Sequence, residues 1–68
     1  MENSKKVELM EIALTYIEKG YDNEDLMYGD DLYDATSEEK EICSDFYSEC
    51  KRIGTTAFEQ KISELKSK

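Results

Sequence analysis

The chain has 68 residues, 17 acidic against 9 basic side chains, and neither histidine nor proline. At this length it holds one domain at most, buries only about 60% of the surface it exposes when unfolded, and has no room for a deep enclosed pocket, which argues against a stand-alone enzyme. A net charge of −8 repels DNA, RNA and anionic lipid, so the macromolecule it suits is one with a basic surface.

Lys5 and Lys6 imitate the basic start of an export signal, but Glu8 and Glu11 interrupt what would have to be an apolar run, and no leader is expected. The longest aliphatic run, Ile12-Ala13-Leu14, is too short to span a membrane. The spacing predicts a helix over 5–19. Val7, Met10, Leu14 and Ile17 fall at i, i+3, i+7 and i+10, on one helical face. Lys19 suits the negative end of the helix dipole, and Gly20 suits a left-handed cap. Leu9, Ile12, Ala13 and Tyr16 form a second, weaker stripe. A helix apolar on two sides is either central to a bundle or lends one side to a partner. A second copy of the chain, docked through Leu9, Ile12 and Tyr16, is one such partner.

Asp22 or Asn23 can cap a short helix over 23–28, closed by Gly29, and "DDLYDA" at 30–35 then reads as a turn. "TSEE" supplies a capping box from Thr36 to Glu39 and opens a helix over 37–53. Ile42, Phe46, Cys50 and Ile53 make its core stripe, flanked by Cys43 and Tyr47, and Gly54 ends it. "TAFE", Thr56 to Glu59, reads as another capping box, and Phe58, Ile62 and Leu65 give the face of a helix over 57–66. No segment alternates with period two. The expected fold is all-α: a single-domain bundle of three main helices plus a short acidic helical turn. Its expected core is Val7, Met10, Leu14, Ile17, Ile42, Phe46, Ile53, Phe58, Ile62 and Leu65. Cys43 and Cys50 lie about 10.5 Å apart along one helix, too far for a disulfide. Two buried, unbridged thiols suit a reducing cytoplasm.

Charge is the uneven feature. Residues 22–49 hold eleven acids against the single Lys40. A calcium loop of the pattern D-x-[DN]-x-[DN]-G fits no register here, since Leu26, Gly29 or Ala35 falls where a ligand or the glycine is needed. Catalysis lacks a histidine, a phosphate-binding loop and a basic partner for either thiol. No enzyme activity, metal or cofactor is therefore expected. A purely solubilising surface would mix signs, because like charges one turn apart repel by a few tenths of a kcal/mol. Instead Glu38, Glu41, Asp45 and Glu49 form one stripe at i, i+3, i+7 and i+11, and four of the five tyrosines lie in or beside the acidic segment.

The expectation is a binding face of Asp30, Asp31, Asp34, Glu38, Glu41, Asp45 and Glu49, anchored by Tyr28 and Tyr33, that meets a basic nucleic-acid-binding protein in place of its DNA or RNA. Size and charge are shared with phage and mobile-element inhibitors of nucleases, CRISPR effectors and restriction enzymes, though no motif carries that likeness to a family. The competing expectation is a regulatory, assembly or immunity-type subunit docking through the second stripe of the first helix.

Overall fold

A computed structural model describes residues 1–68 as an all-α bundle without strands. The elements are α1 (Asn3–Glu18), α2 (Asn23–Tyr28), a 3-10 turn (Asp30–Leu32), α3 (Ser37–Ile53) and α4 (Thr55–Lys66). The 3-10 turn falls inside the stretch read from sequence as an irregular turn.

Local chemistry sets most boundaries. Gly20, at φ 83°, takes the left-handed conformation that ends α1. Its N–H donates to the Ile17 carbonyl, and the Tyr21 N–H reaches back to Tyr16 at 2.9 Å. This is the paired bonding of a Schellman cap, and the Tyr16 and Tyr21 rings pack across it with centroids 5.4 Å apart. Both α2 and α3 open with reciprocal capping boxes, Asp22 with Asp25 and Thr36 with Glu39. The box expected at Thr56 is not formed. Gly54 is the N-cap instead, Thr55 is already helical, and no side chain caps α4.

Two apolar clusters hold the bundle. Leu9, Ala13, Leu26, Leu32, Cys43 and Tyr47 pack where α1 meets α2, the 3-10 turn and α3. Val7, Met10, Cys50, Phe58 and Ile62 pack where α1 meets α3 and α4. Half-buried Ile17 and Phe46 touch both clusters. Every buried residue is apolar, and no buried polar side-chain atom lacks a partner.

This arrangement corrects the core expected from periodicity. Leu14, Ile17, Ile42, Phe46, Ile53 and Leu65 are only half-buried, whereas Leu9, Ala13, Cys43 and Tyr47 are sealed. The buried line of α3 runs through Cys43, Tyr47 and Cys50: Cys50 was expected there, and Cys43 and Tyr47, expected as flanks, take the place of Ile42, Phe46 and Ile53. The second stripe of α1 is turned mostly inward. Leu9 is 1% exposed, and Ile12 and Tyr16 pack against the first cluster. A helix covered on two sides is central, and of the three residues expected to dock a second copy Leu9 is buried, while Ile12 and Tyr16 keep part of their surface. The Cα extents of 30 × 25 × 15 Å leave two helix layers at the thinnest point.

Candidate acidic interface

The tertiary structure sorts the eleven acids of residues 22–49 by what each already touches. Glu39 pairs with Lys5 at 3.6 Å, and Glu49 pairs with Lys61 of α4 at 2.6 Å. Asp22 and Asp25 accept each other's backbone N–H at the start of α2. Asp31 lies beside the Tyr16 hydroxyl. Glu24, Asp30, Asp34, Glu38, Glu41 and Asp45 remain, all exposed and none within ion-pair distance of a cation.

Because Cys43, Tyr47 and Cys50 point inward, the helical repeat turns Glu38, Glu41 and Asp45 to the opposite side of α3. They form a ridge facing away from the core, not a strip beside it. Glu49 continues that line by the same repeat, but it is not free. It is half-buried on the α4 side, and Lys61 already neutralises it. Among the expected contact residues it is the one whose charge is taken.

The aspartates before α3 lie elsewhere. Asp31 faces α1 across an open groove of about 350 Å³ bordered by Glu8, Glu11, Ile12 and Thr15. Asp31 and Asp34 also border a smaller hollow with Lys5, Glu8 and Ile12. Asp31 and Asp34 therefore look onto α1, while Glu38, Glu41 and Asp45 look outward from α3. The expected residues do not form one uninterrupted patch. Glu8 and Glu11 were not expected at the acidic surface, because the near-balanced charge of residues 1–21 concealed them. The signal was their spacing with Thr15, which puts a polar edge at i, i+3 and i+7. Lys5 and Lys66 each approach one of these two glutamates at 3.6 Å.

The tyrosines divide more sharply. Tyr47 is 4% exposed, and Tyr21 is partly covered by Tyr16. Tyr28 and Tyr33 are 88% and 80% exposed. They flank the 3-10 turn, and the backbone that presents them is anchored on both sides, by Leu26 at 0% exposure and Leu32 at 1%. Between them, Gly29 lies so close to the Tyr16 hydroxyl and the Asp25 carbonyl that a side chain would collide with both. The two exposed rings thus project from a pinned segment.

Burial, and then the Asp31 carboxylate, pushes the Tyr16 phenol above its ordinary range. The Cys43 thiol rises to about 11, first through burial and then through Asp31. Cys50 is raised too, chiefly by burial and then by Glu18. Glu39 is held low, first by the Thr36 backbone N–H and then by Lys5. Cys43 and Cys50 are free and sealed, and the Cys43 Sγ–H donates to the Leu9 carbonyl at 3.4 Å, so neither thiol is a poised nucleophile. No three acidic or thiol side chains come together as a metal-binding group, and no helix is long and apolar enough to cross a membrane. What the surface offers is negative charge and two exposed aromatic rings. No protein-family model, curated protein or solved structure matches this chain.

Proposed function

We propose that this protein is an inhibitor that occupies the basic nucleic-acid-binding surface of a partner protein and keeps DNA or RNA out of it. The observation that carries the reading is the set of six exposed carboxylates, Glu24, Asp30, Asp34, Glu38, Glu41 and Asp45, that have neither a cation nor one of the N–H or hydroxyl partners held by Asp22, Asp25 and Asp31. A domain of this size is stable by only several kcal/mol, and crowded like charges subtract from that margin. A basic partner relieves the repulsion on contact. Carboxylates one turn apart on α3 stand about 5–6 Å apart at Cβ, somewhat closer than successive phosphates of a strand but short enough to engage the same cations. Cytoplasmic nucleases, restriction enzymes and CRISPR effectors have surfaces of this kind, and a phage or mobile-element origin suits such an inhibitor.

The test is competition on a panel of such purified proteins, each loaded with labelled DNA or RNA. The protein should displace the nucleic acid from its target, with an affinity that falls steeply as salt rises. Changing Glu38, Glu41 and Asp45 together to lysine should abolish displacement while circular dichroism still reports a folded helical protein. A ternary complex with the nucleic acid, or binding indifferent to salt, overturns the proposal.

A further inference from the structure

We infer that the turn bearing Tyr28 and Tyr33 selects arginine over lysine in the partner's basic segment. The inference rests on the inhibitor reading and names the side chain that its surface takes. Three observations support it. Tyr28 and Tyr33 are the two most exposed large apolar side chains of the protein, so most of each ring is open to a ligand. Their backbone is held by buried Leu26 and Leu32 and by the close packing of Gly29 on Tyr16, so little ordering cost falls on binding. Asp30 and Asp34, which follow Gly29 and Tyr33 in the chain, are exposed and have no cation of their own.

Exposed rings in an acidic segment distinguish the two cations. The guanidinium is planar and weakly hydrated. It can lie flat on a phenol while its edge donates two parallel hydrogen bonds to a carboxylate. The ammonium of lysine is compact and strongly hydrated, and it meets the same carboxylate as a point charge. Tyr47 shows the alternative within the same chain. Its ring already carries Lys51, whose Nζ lies 5.5 Å from the centroid, whereas no cation of the protein lies over Tyr28 or Tyr33.

The probes are fluorescein-labelled nona-arginine and nona-lysine, equal in length and charge, titrated with the full chain and read by anisotropy. The parent should bind nona-arginine roughly tenfold more tightly, the size expected from two exposed ring contacts. Changing Tyr28→Ala and Tyr33→Ala together should lower that ratio at least about fivefold. The Tyr28→Phe/Tyr33→Phe pair should keep it, because the ring faces remain. Equal affinity of the parent for both peptides, or a preference that survives the alanine pair, overturns the inference. Salt-sensitive binding of both peptides would leave the acidic-face reading standing in either case. Failure of the parent to bind either peptide overturns both.

Discussion

The Tyr47 hydroxyl donates a 2.6 Å hydrogen bond to the backbone carbonyl of Tyr21. The contact ties the middle of α3 to the loop that leaves α1, and so fixes where α2 and the exposed tyrosines begin. Tyr47→Phe removes this bond and keeps the ring. It should cost about 1 kcal/mol in urea denaturation. Tyr28→Ala and Tyr33→Ala, which remove only exposed rings, should each stay within about 0.5 kcal/mol of the parent. A costly loss at Tyr28 or Tyr33 would mean that these rings serve the fold.

The two phenylalanines should differ. Their rings meet edge to face with centroids 6.2 Å apart, yet Phe58 is fully sealed and Phe46 is half-exposed. Phe58→Ala should cost about 3–5 kcal/mol, close to the whole stability of so small a domain. Phe46→Ala should cost less. Thermal melts of the two variants check the order, and the reverse order would place the centre of the second cluster wrongly.

Gly29 is required by space, since its backbone, at φ −78° and ψ 165°, suits any residue. Gly29→Ala forces a methyl group against the Tyr16 hydroxyl and the Asp25 carbonyl. It should destabilise by about 1–3 kcal/mol. Adding Tyr16→Phe removes one of the two obstacles and should restore part of the loss, as a double-mutant cycle would reveal.

The buried thiols predict a dependence on alkaline pH. Folding holds the Cys43 thiol neutral up to about pH 11, whereas the same group in the unfolded chain ionises from 9.0 upward. Its contribution is therefore fully present below pH 9 and is lost as pH rises through 11. By linkage the fall is about 2–3 kcal/mol. Urea melts between pH 8 and 11 should show it, and Cys43→Ala should remove most of it. At pH 8 neither cysteine should react with iodoacetamide until the chain unfolds.

The outward ridge of α3 makes a prediction about stability as well as binding. Glu38 sits in the first turn, where a carboxylate meets the positive end of the helix dipole. Glu41 lies farther in, with Glu38 and Asp45 one turn away on either side. Glu38→Lys should therefore cost about 0.3–1 kcal/mol. Glu41→Lys should be neutral or stabilising by a few tenths of a kcal/mol, an effect that shrinks in high salt.

What the sequence by itself determined was local. The helices over 23–28 and 37–53, the Gly20 cap and the Thr36–Glu39 box depend on residues three to five positions apart, which interact whatever the rest of the chain does. The surplus of acid was legible for the same reason, because it needs only counting. The tertiary structure decided which of those features remained available. Both stripes of α1 were visible, but which sealed more deeply depended on Leu26 and Leu32 arriving from the acidic connector to cover Leu9 and Ala13. The line of α3 that faces inward was likewise chosen by its neighbours, which drew in Cys43 and Tyr47 and left Phe46 half-exposed. Glu49 reads like Glu41 along the helix until Lys61, twelve residues away, closes on it. Five tyrosines are alike in sequence, yet Tyr47 is buried while Tyr28 and Tyr33 stand in solvent. Burial and pairing arise from contacts between residues distant in the chain, and helical periodicity carries no record of which distant residue will arrive.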